Sequence, residues 1–213
     1  PPFSPVFRMG APLIDGTRVV WLESTKHDLR VEQRYDWQLL TCYVDACTPQ
    51  TAAEGSDAPE SAFPISVDVA GDFLVYATGT DGRHGRPSVV IMDLSNGSSR
   101  VLVQQALWVD FVTTDGHYVF WEYHEEYVSG PYMWGHDLYT GSTFPAVTSR
   151  DADVSPHTAG GMLVWSRLSS TTGSMAILAV PVTATLPTVP QPDPSATSSD
   201  WIYFPETGHY LAY

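Results

Sequence analysis

One short pattern, a tight turn followed by an apolar and aromatic strand, occurs five times in this chain and constrains its fold more than any other feature. The copies read IDGTRVVWL from Ile14, VAGDFLVYA from Val69, TTDGHYVFW from Thr113, TAGGMLVWS from Thr158 and ETGHYLAY from Glu206. Their turn glycines, Gly16, Gly71, Gly116, Gly161 and Gly208, are spaced by 55, 45, 45 and 47 residues. A chain that repeats itself at such a step is built from copies of one supersecondary unit.

A period in the forties, carried by strands with no sustained helical periodicity, is what a four-stranded propeller blade requires. The spacing therefore predicts an all-β propeller of antiparallel blades in a single domain. Its repeats run over about 11–63, 64–108, 109–152 and 153–199, with a partial fifth at 200–213. In the second repeat the predicted strands are Ile65–Val69, Phe73–Ala77, Ser88–Leu94 and Arg100–Gln104, with Ser95-Asn96-Gly97 as a hairpin turn. In the third they are Asp110–Thr113, Tyr118–Glu122, Tyr132–Leu138 and Phe144–Val147, with a Tyr139-Thr140-Gly141 turn. In the fourth the third strand is Met175–Val182, followed by a Thr183-Ala184-Thr185 turn that lacks the glycine.

The second and third repeats share the phrase Asp-Leu-x-x-Gly, at Asp93-Leu94 with Gly97 and at Asp137-Leu138 with Gly141. A strand, a turn, a Val-x-Trp/Tyr strand and then this hairpin resemble the blades of the TolB-like propellers of bacterial envelopes and secreted enzymes, from about Pro12 onward. The Ser-Pro-Asp-Gly signature of those blades is absent as a unit and survives only in pieces, Asp15-Gly16, Asp115-Gly116 and Ser155-Pro156. Four repeats and half of a fifth leave open sheet edges, which invite pairing with another strand. Either one terminus completes the blade begun by the other, with Phe3–Arg8 supplying a strand, or the remaining blades come from another chain or segment.

Net charge is −14, with ten basic residues of which Lys26 is the single lysine. That balance opposes binding to nucleic acid phosphates and anionic membranes and leaves cations or basic protein surfaces as charged partners. No run of about 18 apolar residues is present, so no membrane-spanning helix is expected. The Pro-Pro start lacks the features of a signal peptide and reads as a processed or trimmed chain. Cys42 and Cys47, the two cysteines, flank the segment where the other repeats place their third hairpin turn. A bridge across such a hairpin is within disulfide reach and implies an extracytoplasmic, oxidising compartment. Two reduced buried thiols are the alternative, and no further cysteines complete a zinc site.

Two segments interrupt the repeats. Thr48–Ser61 and Pro187–Ser199, rich in Pro, Ser and Thr, read as surface excursions of the outer strands. Binding chemistry on a repeated scaffold sits in its variable loops, here Glu23–Asp36, Thr78–Pro87, Tyr123–Gly135 and Arg167–Gly173. The third is the densest: His124, Glu125, Glu126, Tyr127, Tyr132 and Trp134, followed by His136, offer aromatic faces for stacking beside imidazoles and carboxylates. That composition suits a glycan or a protein ligand; a solvated hairpin whose aromatics cover the blade is the plain alternative. His27, Asp28 and Arg30 in the first loop, and Asp81, Arg83, His84 and Arg86 in the second, add polar groups.

Asp110, Asp153 and Asp200 each begin a strand shortly before a turn glycine, with Asp68 in a similar place. Ringing a channel mouth, they would form an oxygen site for Ca²⁺; otherwise they cap backbone amides. Several five-bladed propellers are glycosidases with carboxylates in the channel, so the same three residues are the candidates for that chemistry. No nucleophile elbow, zinc-protease motif or phosphate loop is present. The reading is a non-catalytic extracytoplasmic propeller that binds protein or glycan and assembles with another chain. The alternatives are a glycosidase-like hydrolase and the propeller part of a prolyl-oligopeptidase-like peptidase.

Overall fold

A computed structural model describes residues 6–9, 12–28, 33–59, 63–78, 88–103, 108–124, 132–147, 152–169, 171–182, 201–204 and 209–212. Among the described residues every regular element is a strand, and the strands pair antiparallel. The first sheet contains β1 (Val6–Met9), β2 (Leu13–Asp15), β3 (Arg18–Asp28), β4 (Gln33–Tyr43) and β5 (Ala46–Pro59). The second is β6 (Pro64–Ala70), β7 (Phe73–Thr78), β8 (Ser88–Asp93) and β9 (Ser98–Val103). The third is β10 (Trp108–Thr114), β11 (Tyr118–His124), β12 (Tyr132–Asp137) and β13 (Thr143–Val147). β14 (Ala152–Ala159), β15 (Met162–Leu168) and β16 (Met175–Pro181) form a three-stranded sheet, and β17 (Trp201–Phe204) pairs with β18 (His209–Ala212). The strands expected in the second and third repeats are thus found, with ends shifted by at most two residues.

The repeated marker has a common backbone cause. Gly16, Gly71, Gly116 and Gly161 all have positive φ, between 56° and 87°, which a side chain would strain. The Asp-Leu-x-x-Gly phrase is explained by hydrogen bonds. Asp137 Oδ1 accepts the amides of Tyr139 at 2.8 Å and Thr140 at 3.0 Å, while Gly141 N–H donates to the Asp137 carbonyl at 2.9 Å. Asp93 does the same for Ser95, and Gly97 N–H returns to the Asp93 carbonyl. In the fourth sheet a comparable turn lies between β15 and β16: Gly173 N–H donates to the Ser169 carbonyl, and Ser169 Oγ accepts from Thr171 and Thr172. The Thr183-Ala184-Thr185 turn lies outside the described residues.

These bonds hold the Asp137 carboxyl below the ordinary carboxylate range, the Thr140 amide contributing most. A depressed folded-state pKa means that the stabilisation is present above the unfolded-state value and is lost as pH falls through the folded one. Urea midpoints should therefore fall as pH drops below about 4, and Asp137→Asn should flatten that slope. An unchanged slope in the variant would show that Asp137 plays no part in it.

Three expectations are corrected in the first sheet. Val6–Met9 does not complete a blade at the other terminus; it pairs with Glu23–Lys26 of β3. β3 is eleven residues long and β2 covers only Arg18–Val20, so an open edge remained whose backbone groups β1 satisfies. The first loop is also shorter than Glu23–Asp36, because β3 and β4 stay paired to Asp28↔Gln33. Finally, Thr48–Ser61 is no excursion as far as Pro59: it belongs to β5, paired with β4 through three register shifts. Its prolines, Pro49 and Pro59, are tolerated because β5 is an edge strand. Pro187–Ser199 lies outside the described residues.

Contacts divide the chain into two units, Pro1–Val109 and Asp110–Tyr213. In the first, Val20, Leu39 and Leu74 are fully buried with Trp37, Tyr76, Val69 and Met92 packed around them. Asp15 Oδ2 accepts Gly71 N–H at 2.6 Å, and Arg18 donates to Asp72 at 3.0 Å, tying the first sheet to the second. In the second unit, Tyr118, Phe120, Met133 and Ala146 of the third sheet bury against Leu163, Trp165 and Val180 of the next. Thr158 N–H and Oγ1 donate to Thr113 Oγ1 and the Thr114 carbonyl, at 3.0 and 2.6 Å, in the same role as the Asp15 bond. Each fully buried aliphatic or aromatic side chain contributes roughly 1.5–3 kcal/mol.

Cys42 and Cys47 form the expected disulfide, with a Cα–Cα distance of 4.9 Å, across the Val44-Asp45 turn between β4 and β5. Closing a loop this short stabilises the fold by about 2 kcal/mol in the chain-entropy account. Reduction, or the Cys42→Ser/Cys47→Ser pair, should lower unfolding free energy by that amount in urea titrations. Equal midpoints with and without reductant would rule out a stabilising bridge.

Candidate binding surfaces

Strand ends at one end of the second unit gather a set of buried polar side chains. β11 delivers Glu122, whose side chain shares a face with Tyr118 and Phe120 and is only 2% exposed. β14 delivers Asp153, 1% exposed, and β15 delivers its register partner Arg167. Asp153 Oδ1 accepts from Arg167 Nε and from Trp165 Nε1, both at 2.7 Å, and Oδ2 accepts from Arg167 Nη2 at 3.3 Å. A carboxylate so placed is buried without being unpaired, the condition under which burial of a charge is tolerated.

Between these groups β14 departs from regular pairing. Register with β15 shifts between Val154 and His157, leaving Ser155 and Pro156 in a bulge. Ser155 has φ 55° and is the one non-glycine residue with positive φ among the described residues. Its amide donates to Glu122 Oε2 at 2.9 Å. The Ser155-Pro156 fragment noted in the sequence is therefore the point at which the third and fourth sheets are joined at this end.

The loop chosen from sequence starts from the same end, but two of its residues belong elsewhere. β12 begins at Tyr132, so Trp134 and His136 are strand residues, opposite Trp121 and Val119 on the face turned away from Glu122. His136 is buried, with Nδ1 2.8 Å from Thr143 Oγ1. It cannot join the loop platform without breaking the sheet. His124 and Tyr132 lie at strand ends, with side chains outside the described residues, as are Glu125, Glu126 and Tyr127 altogether.

Of the carboxylates expected to ring a channel, Asp153 is committed to Arg167 and Trp165 within its own sheet. Asp110 is half-buried in β10, Asp200 is outside the described residues, and Asp68 caps its neighbour Val69 N–H at 2.9 Å. Among the described residues no group of three or more His, Cys, Asp or Glu converges as metal ligands would.

A second surface belongs to the first unit, on residues that the sequence reads as the variable loop Glu23–Asp36 and the excursion Thr48–Ser61 and that the structure shows as strands. Along the extended halves of β3, β4 and β5 runs an open groove of about 560 Å³. Period-2 alternation and the strand register put Glu23, Thr25, Asp36, Gln38, Glu54 and Ser56 on one face of it. Gln38 Nε2 donates to Glu54 at 3.2 Å, Ser56 Oγ to Asp36 at 3.2 Å, and Trp21 Nε1 to Glu23 at 3.0 Å. His27 Nε2 lies 2.8 Å from the other Asp36 oxygen. The sequence carries no alternation here, since Glu23, Ser24, Thr25, Lys26 and His27 are all polar, and the strand shows only through its register with β4.

The fourth sheet has an apolar surface as well. Leu168 sits opposite Met175, and Ile177 shares their face, turned away from Leu163 and Trp165; Met175 is 63% and Ile177 60% exposed. Exposed apolar side chains side by side on one sheet face are characteristic of interaction surfaces.

No protein-family model and no curated protein sequence matches the chain. Solved structures do. TolB from Acinetobacter baumannii matches with a TM-score of 0.53 at 10% identity, over 83% of this chain and 41% of that one. A puromycin hydrolase matches with a TM-score of 0.52 at 14% identity, over 96% of this chain and 33% of that one. The β-propeller domain of the Trilobed protease from Pyrococcus furiosus, described as having an open velcro topology, matches with a TM-score of 0.50 at 8% identity, over 81% of this chain and 54% of that one. The chain thus spans about 41% of the TolB structure it resembles. At these identities the likeness concerns fold alone, and the fold is that of β-propeller proteins, TolB among them.

Proposed function

We propose that this chain is a non-catalytic, extracytoplasmic propeller module that binds protein or glycan and assembles with another chain or segment. The groove on the first sheet carries the reading: carboxylates, an amide and hydroxyls project from rigid strands into an open trough of about 560 Å³. Such a wall suits sugar hydroxyls or the basic side chains and backbone of an extended peptide. The Cys42–Cys47 bridge supports the oxidising compartment, and the apolar face at Met175 and Ile177 supports assembly.

The test is titration of the purified chain against a panel of neutral and charged glycans and a panel of basic peptides, with Asp36→Asn/Glu54→Gln as the groove variant. Binding to a member of either panel, weakened at least tenfold in the variant, is expected. No binding, or equal binding by the variant, would overturn the assignment. For assembly, Ile177→Lys should raise the monomer fraction in light scattering at micromolar concentration. A wild-type chain that is already monomeric at all concentrations would remove self-assembly from the reading.

A second reading, the propeller part of a prolyl-oligopeptidase-like peptidase, draws on the fold shared with the puromycin hydrolase, of which this chain spans 33%. Under that reading the chain is also non-catalytic, and its partner is a hydrolase domain. The glycosidase reading is weakened by Asp153, whose oxygens are held by Arg167 and Trp165.

A further inference from the structure

Glu122, in the last turn of pairing before the variable loop of the third sheet, is a buried carboxylate that neither the core nor the groove accounts for. Leaving an ionised carboxylate away from water costs several kcal/mol unless donors replace the lost hydration. One donor here is unusual. Ser155 N–H reaches Glu122 Oε2 at 2.9 Å from a residue held at φ 55°, within a bulge that removes Ser155 and Pro156 from the β14–β15 ladder.

For a serine the left-handed conformation is strained, because its Cβ crowds the following carbonyl oxygen. Strain of this kind persists where the surroundings over-determine it, and such positions cluster at binding and switching sites. Pro156 follows and fixes its own φ, Asp153 two residues earlier is pinned by Arg167 and Trp165, and Thr158 two residues later is pinned to Thr113 and Thr114. The bulge is thereby suspended between two fixed points, and the Ser155 amide, released from the ladder, donates to Glu122.

We infer that Glu122 is a positioning residue: with the strained Ser155 bulge it forms a latch that fixes the adjoining ends of β11 and β12 against β14. The inference is independent of the groove in the first unit, and it assigns how this end of the second unit is held. A latch at Glu122 sets the separation of Tyr123 and Tyr132, which are register partners, relative to β14. Sheet contacts alone would let that pair fray, as terminal pairs of a hairpin do.

The test is residue-resolved hydrogen exchange on the wild type and on Glu122→Ala, Glu122→Gln and Ser155→Gly. Glu122→Ala should speed exchange at least tenfold at Tyr123, Met133 and Ser155, with Val75 and Ala77 in the second sheet unchanged. Glu122→Gln keeps an acceptor oxygen and should restore at least part of the protection. Ser155→Gly keeps the N–H and relieves the strain, so protection at Glu122 and Met133 should be retained.

Uniform acceleration over both sheets, or no change in Glu122→Ala, would overturn the latch, as would a Gln variant no better than Ala. Binding is measured separately on the same proteins. A latch seen by exchange with no ligand captured from either panel would sink the functional reading and leave the latch; ligand binding with unaltered exchange would do the reverse.

Discussion

Asp153→Ala should destabilise the protein by about 3–5 kcal/mol, because it strands Arg167 as a buried cation. Arg167 is 7% exposed and donates two hydrogen bonds to this carboxylate, and Trp165 Nε1 loses its acceptor in the same step. Since a domain of ordinary stability has about 5–15 kcal/mol in total, such a loss brings it close to unfolding at room temperature. Guanidinium titration of the variant measures it. The double variant Asp153→Leu/Arg167→Leu makes the cause separable: removing both charges should recover most of the loss, since apolar replacement of a buried pair is often near neutral. A double variant no more stable than Asp153→Ala would mean that the ion pair contributes more than it costs to bury, contrary to this account.

Gly135→Val should cost about 3 kcal/mol, the upper end of the range for overpacking. Gly135 lies mid-strand in β12 beneath Phe144, and a Cβ there would come within 2.6 Å of two Phe144 ring carbons and 3.1 Å of Phe120. The ring of Phe144 occupies the space a side chain would take, on a face where Tyr118 and Phe120 leave it no alternative site. The check is thermal and chemical denaturation of Gly135→Val alone and with Phe144→Ala. If the ring is the obstacle, the two substitutions together should cost less than their sum. Additive losses would place the strain elsewhere.

The elements that were legible from sequence were those in which local and long-range requirements agree. Gly71 and Gly116 mark turns because their positive φ is needed there, and the strands after them are short, mostly apolar runs buried on both faces, Leu74–Thr78 and Tyr118–Glu122. The Asp137 turn was visible as a phrase because its hydrogen bonds span only a few residues. Cys42 and Cys47 could be paired from spacing because one hairpin turn separates them.

Elements hidden in sequence depend on partners far along the chain. Ala46–Pro59 has the composition of a linker, and it is a strand because β4 offers it an unpaired edge. Val6–Met9 fills an edge that exists only because β3 runs past β2. Tyr132, Met133 and Trp134 fall both in the loop Tyr123–Gly135 and in the strand Tyr132–Leu138 as read from sequence, and only register with β11 assigns them to the strand. Glu122 carried no sequence signal, being one carboxylate among many in an acidic chain; its role depends on the backbone of Ser155, 33 residues away.

The ties between neighbouring sheets have a consequence for how the chain acquires its structure. Asp15 to Gly71 spans 56 residues and Thr113 to Thr158 spans 45, so each closes a loop of about one repeat. Loop closure at that length is only slightly dearer in entropy than for a single long hairpin, and no tie of this kind requires a sheet two repeats away to have formed. Folding can thus begin in whichever sheet collapses first and spread to the next as beads add along a string, with damage confined in the same way. A chain of this design tolerates the drift of one repeat while its neighbours keep their shape, which is how five copies of one pattern could come to differ so widely in everything except their turns.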